Sequence, residues 1–361
     1  MVKVKSAVTA AMMFCAAAAM ANNFRVADQV YVPAAAHAAG SSGTFISDVF
    51  ISNLSTDSVA VTVLFGSTPA GTLASFGTVA SPLITLAPNE RREIPDFMAT
   101  PTAQGGLGLT SAFGQLIFNA CKVGGNCTVG SCPGGDPTAG TCPDFRPISV
   151  ETRVYSIPPA GGCTSTFSAS VCASSTAPTT GQLFSGLPWY SFASSDAAGA
   201  GLDKVFITGF RNNTSFRSNI GMANASQFST TTLVLKLFNG QTNLQIGSNA
   251  NITLAPFGHT QILISDTKLF PSFTGTTATN AYVTVEQTNT IPTADAAANG
   301  CTTGCPAFFA YGSVLDNLSG DATTLEPQFL KALSDAAITC IYSPSFANCK
   351  AGQTIKRSVK H

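Results

Sequence analysis

Apolar and polar side chains alternate along many short runs of this chain, as in Val61-Thr62-Val63-Leu64-Phe65 and Leu233-Val234-Leu235-Lys236-Leu237. A period of two puts one set of side chains on a single face, which is the mark of a half-buried β-strand. Clusters of Gly, Pro, Asn and Ser break the runs, and convincing helical periodicity is absent between them. The pattern predicts an all-β fold of antiparallel sandwiches with hairpin or Greek-key connections, a closed barrel being the alternative. One short helix is expected near the end, in the segment starting Pro327-Gln328-Phe329-Leu330-Lys331-Ala332-Leu333.

The strand pattern occurs twice. Phe45-Ile46-Ser47-Asp48-Val49-Phe50-Ile51-Ser52-Asn53 aligns with Phe216-Arg217-Ser218-Asn219-Ile220-Gly221-Met222-Ala223-Asn224, and the matched Phe, Ser, Val/Ile, Ile/Met and Asn positions all fall on one strand face. The alternating runs at Val61 and Leu233 follow, and Ile84-Thr85-Leu86-Ala87-Pro88 then recurs unchanged as Ile252-Thr253-Leu254-Ala255-Pro256. Further on, Ala112-Phe113 aligns with Ala281-Tyr282, and Arg153-Val154-Tyr155 with Ser313-Val314-Leu315. Matches in this order predict two tandem antiparallel β-sandwich units with disulfide-stapled loops. The expected boundaries are 1–21 for a signal peptide, 22–192 for the first unit, 193–202 for a small-residue linker, 203–326 for the second unit and 327–361 for a tail with a disulfide loop.

In three of these elements the chain resembles uncharacterised exported proteins of environmental bacteria that carry paired β-rich units. They are the Phe-x-Ser-(Asp/Asn)-(Val/Ile) strand, the Ile-Thr-Leu-Ala-Pro turn and the segment Val314-Leu315-Asp316-Asn317-Leu318-Ser319-Gly320-Asp321. The resemblance implies a paired β architecture and carries no activity with it.

Lys3 and Lys5 precede an apolar run from Ala7 to Ala19 that closes on Ala19-Met20-Ala21, the form of a secretory signal with a small-x-small cleavage site. No later stretch is long and apolar enough for a spanning helix, so the expectation is secretion to the periplasm, cell surface or medium, with no transmembrane segment. Charged residues are 10 % of the chain, 18 acidic and 18 basic, which gives no electrostatic footprint for nucleic acid. Cys15 lies within the signal; Cys121, Cys127, Cys132, Cys142, Cys163, Cys172, Cys301, Cys305, Cys340 and Cys349 follow it. An even set in an exported chain reads as disulfides. Clustering favours Cys163 with Cys172, Cys301 with Cys305 and Cys340 with Cys349, while the first four pair in any of three ways.

Candidate chemistry is sparse. His37, His259 and His361 stand apart from any Gly-x-Ser-x-Gly elbow and read as turn or surface residues. Glu151, Glu286 and Asp316 are the carboxylates a glycosidase pair would draw on. Asp316 and Asp321 flank a glycine and are the candidates for a hard cation such as calcium, against an Asx-type turn. The aromatic group around Trp189, Tyr190 and Phe192 suits core packing or the contact between units, with sugar stacking as the alternative. The function these features predict is a non-enzymatic exported or cell-surface protein without a cofactor, acting by binding a protein or glycan or by self-assembly. The alternative is a secreted carbohydrate-active enzyme or carbohydrate-binding module. The connection from Cys121 to Cys142 and the one holding Cys301 and Cys305 are expected to form the recognition surface, because loops on a rigid sandwich tolerate change.

Overall fold

A computed structural model describes residues 26–40, 43–66, 83–125, 127, 144–157, 181–188, 192–193, 203–225, 230–265, 269–270, 278–288, 308–318 and 322–329. The signal segment, Trp189, Asp321, His361 and every cysteine except Cys121 and Cys127 lie outside these residues. In the first half the strands are β1 (Gln29–Gly40), β2 (Gly43–Asn53), β3 (Val59–Gly66), β4 (Ile84–Leu86), β5 (Arg91–Ile94), β6 (Ala112–Lys122), β7 (Ile148–Ile157), β8 (Gly181–Ser185) and β9 (Leu187–Pro188). In the second they are β10 (Lys204–Asn212), β11 (Phe216–Asn224), β12 (Thr231–Asn239), β13 (Gln245–Leu254), β14 (His259–Leu263), β15 (Ala278–Gln287), β16 (Phe308–Asp316), β17 (Ala322–Leu325) and β18 (Gln328–Phe329).

The fold is all-β, and every strand pairing among the described residues is antiparallel. In the second half one sheet runs β13-β12-β15-β10-β18 and the other β14-β11-β16-β17. In the first half the pairings run β4-β3-β6-β1-β9 and β5-β2-β7-β8, which is the same order strand for strand. The last residues of β1, Ala38 to Gly40, also pair with Phe45 to Gly43 of β2, and this hairpin fuses the two first-half sheets into one network.

Alternation decides which face is inside. Val59, Val61, Val63 and Phe65 of β3 are buried, as are Leu233, Leu235 and Leu237 of β12. They build two cores, one also holding Val49, Ile51, Leu116 and Phe118, the other Ile220, Met222, Val283 and Val285. Each such side chain contributes about 1.5–3 kcal/mol by leaving water.

The residues matched in sequence make matched bonds. Ser47 Oγ accepts from the Ala36 N–H at 2.6 Å and donates to the Ala36 carbonyl at 3.1 Å. Ser218 Oγ likewise accepts from the Arg211 N–H at 3.0 Å and donates to the Arg211 carbonyl. Both hydroxyls serve backbone close to a register shift: Ala36 follows the bulge between Val32 and Ala35 in β1 and lies opposite Phe113, and Arg211 sits at the irregularity between Phe210 and Asn212 in β10. Asn53 Nδ2 donates to the carbonyls of Asp57 and Ala87, both at 2.8 Å, and Asn224 Nδ2 to those of Leu254 at 3.2 Å and Ala255 at 2.9 Å. The strand ending in Asn is thereby tied to the Ile-Thr-Leu-Ala-Pro turn in each half. Both turns close with the residue after proline at positive φ, Asn89 at 58° and Phe257 at 54°.

Two expectations need correction. Gln328-Phe329, at the start of the segment expected to be helical, extends beside β10 with Phe329 opposite Val205, because β10 leaves an edge whose backbone groups it satisfies; Leu330 to Leu333 lie outside the described residues. Strand pairing sets Ala120 opposite Val61 and Gln287 opposite Leu233, so the β6 to β15 match is two residues away from the Ala112-Phe113 alignment. A slip of two keeps every side chain on its face, and the sequence pattern is blind to it. Ala193 exchanges two backbone hydrogen bonds with Phe308, and residues 194–202 of the expected linker lie outside the described residues.

Candidate functional site

The two halves meet over a packed joint. The Ala255–Gly258 turn sits on the outer side of β3 and β6, where Phe257 is buried within the first-half core. Gln115 Nε2 donates to the Phe257 carbonyl at 2.7 Å and to the Asn224 carbonyl at 3.3 Å. Two carbonyl partners fix the direction of this amide, and its buried Oε1 has no partner among the described residues. Tyr31 meets Phe192 edge-on at 4.3 Å, and Phe192 stacks on Phe309 at 5.5 Å. Phe192 thus belongs to the contact between the halves.

Beside the joint a cleft of about 400 Å³ opens between the halves. Its first-half wall is built from Ala34, Ala36, Ala38 and Ala39 of β1, with Phe45, Phe113 and Phe184 around them. Alanine is a poor strand former, and a run of it on one strand leaves space where larger side chains would fill the cleft. The second-half wall carries Asn219 and Arg217 of β11, Gln261 of β14, and Ser313 and Leu315 of β16.

Hydrogen bonds pin part of this lining. Gln182 Nε2 donates to Thr324 Oγ1 at 3.0 Å and its Oε1 accepts from Ser313 Oγ at 2.8 Å, a bridge across the halves. Tyr311 donates to Gln261 Oε1 at 2.9 Å. Arg217, the one charged side chain of the lining among the described residues, donates to Asn317 Oδ1 at 2.7 Å. The Asn219 amide and the Gln261 NH2 make no side-chain hydrogen bond among the described residues, so neutral donors and acceptors face the space between aromatic walls.

The two described histidines both lie in strands, His37 in β1 and His259 in β14, where turn or surface positions were expected. His259 is fully enclosed, its Nε2 3.1 Å from the Tyr311 hydroxyl and its ring 5.1 Å from Phe113. Burial lowers its pKa from 6.5 to about 4 and raises that of Tyr311, so both stay neutral. His37 Nδ1 lies 3.0 Å from both oxygens of Asp96. Asp48 beside it accepts from the Asp96 N–H and the Tyr155 hydroxyl, and burial raises its pKa against the pull of these bonds and of Arg153. A histidine and an acid become a hydrolytic centre when a nucleophile meets the second ring nitrogen; among the described residues no hydrogen bond to His37 Nε2 occurs.

Glu151 is held by Arg91 at 3.3 Å on one sheet and Glu286 by Lys204 at 2.9 Å on another, and neither lines the cleft. Asp316 Oδ1 accepts from the Leu318 N–H at 2.7 Å, the geometry of an Asx turn. Asp321 lies outside the described residues, among which no cluster of three potential metal ligands occurs. Cys121 is bonded to Cys127, which selects one of the open pairings for these two cysteines.

The expected recognition loops leave β6 and β15 at their C-terminal ends, whereas Phe113, in the cleft, stands at the opposite end of β6. Composition and spacing pass over the lining because single amides and alanines carry no motif; the signal was a run of small residues where a strand calls for large ones. No helix among the described residues is long and apolar enough to cross a membrane. No protein-family model and no curated protein matches this chain.

Proposed function

We propose that the chain is an exported, non-enzymatic binding protein built from two tandem copies of one disulfide-stapled β sandwich, with its ligand in the cleft between them. The tandem reading is supported by the common strand order and by the matched Ser and Asn bonds. The observation that carries the binding reading is the lining itself, in which the Asn219 and Gln261 amides face aromatic and alanine walls. A space of a few hundred cubic ångströms with apolar walls and a few converging polar groups is what small-ligand sites consist of. The ligand class this lining fits is a neutral, hydroxyl- or amide-bearing molecule the size of a short oligosaccharide or peptide.

The carbohydrate-binding reading draws on the same mixture, since sugar rings pack on aromatic faces while carboxamides take their hydroxyls. The test is calorimetric titration of the oxidised mature chain with soluble oligosaccharides and with short neutral peptides, repeated on Ala38→Trp, which narrows the mouth of the cleft. Binding that the substitution abolishes, with the thermal melt unchanged, is the expected result. Binding that survives in the folded variant would move the site elsewhere.

A further inference from the structure

The joint between the halves uses two different surfaces, a turn of the second half and a sheet face of the first. A contact of this head-to-tail kind has no built-in end, because each added copy offers the same free face again. The second half therefore owns a face equivalent to the one that receives Phe257, and the first half owns a turn equivalent to the one that carries it.

Strand pairing identifies the equivalents. Gly66 lies opposite Gln115 in the first half, and Phe238 lies opposite Tyr282 in the second, each five residues along from the matched Val61 and Leu233. The receiving face works because Gly66 is bare: a Cβ there would stand 2.9 Å from the Phe257 carbonyl oxygen. Gln115 then supplies the donor for that oxygen. In the second half the same two places hold Phe238 and Tyr282, whose rings stack at 4.8 Å and 9° over the spot where a turn would sit. Tyr282 also lacks the carboxamide. On the first-half turn, Asn89 occupies the place of Phe257 and is exposed with Ala87 and Pro88. Glu90, Arg91 and Arg92 follow it, with Arg92 paired to Glu90 and Arg91 to Glu151. The knob is missing at one end and the hole is filled at the other.

We infer that Asn89, Phe238 and Tyr282 close the array at two copies, so that the chain does not polymerise through its own joint. The inference rests on reading the halves as copies of one unit, and it concerns surfaces apart from the cleft, so its test leaves the binding proposal untouched. Sedimentation of the oxidised mature chain should give one monomeric mass at every concentration. The triple variant Asn89→Phe, Phe238→Gly, Tyr282→Gln should form chains that lengthen with concentration while keeping the strand signature in circular dichroism. A folded triple variant that stays monomeric would overturn the inference. So would wild-type chains that lengthen with concentration and are dispersed by Asn89→Lys, a result readable even where the triple variant fails to fold.

Discussion

Asn53 and Asn224 hold the same post in the two halves, yet their surroundings differ in a way that sets their worth. Asn224 is buried, donates to two carbonyls of buried residues and accepts from Thr231 Oγ1 at 2.9 Å, whereas the carbonyl of Ala87, one of the Asn53 acceptors, belongs to an exposed residue. Removing a donor from a buried carbonyl costs about 1–3 kcal/mol, and less where water can replace it. Urea denaturation should show Asn224→Ala losing more stability than Asn53→Ala; the reverse order would refute the account. His259 adds a pH dependence. The unfolded chain takes up its proton below about 6.5 and the folded chain only below about 4, so stability is complete above that interval and falls as pH drops through it. The span corresponds to roughly 3 kcal/mol. Asp48, with its raised pKa, pulls the other way, so the difference between wild type and His259→Gln is the quantity to follow at pH 7.5 and pH 4.5. An unchanged difference at the two pH values would remove His259 as the cause.

Elements show where the two halves were legible in sequence and where they were not. β2 and β11 could be matched because one face of each strand carries Phe, Ser and Asn at an even spacing, and the Ile-Thr-Leu-Ala-Pro turns because each uses the same carbonyls and the same backbone angle. The joint and the cleft were hidden for the opposite reason, since they arise where the halves differ. Phe257 against Asn89 reads as loop divergence, and Gly221 against Phe50 as a weak strand position. The structure gives that glycine a purpose. Gly221 lies opposite Tyr311 on β16, and a Cβ there would stand 2.0 Å from the tyrosine ring. The ring lies flat across the strand, where it supports Phe184 at 5.3 Å and donates to Gln261. Gly221→Ala should therefore cost about 1–3 kcal/mol by overpacking and disturb the cleft through Gln261. A thermal melt matching wild type would mean the ring moves aside freely.

On the scale of the whole molecule, the halves are joined by more than a short connection. Ala223, Ala225, Phe257 and Phe309 of the second half lie within the core of the first, and Gln115, Gln182 and Ser313 bond across the boundary. Two halves that share buried surface lose part of each other's stability when either one opens, so heat should unfold the chain in one cooperative transition. Phe257 is the strongest single link, since its ring is buried in the other half while its own backbone sits at the positive φ that the turn requires and a phenylalanine rarely adopts. Phe257→Asn places at the joint the residue found in the equivalent turn, which tolerates that angle, so the backbone stays unstrained while the buried ring is lost. Truncating a buried phenylalanine costs about 3–5 kcal/mol, and here that cost falls on the contact between halves more than on either core. Scanning calorimetry should then resolve two transitions where wild type shows one, with each core keeping its own heat of unfolding. Two transitions already present in wild type, or a single unshifted transition in Phe257→Asn, would show that the halves stand independently of this contact.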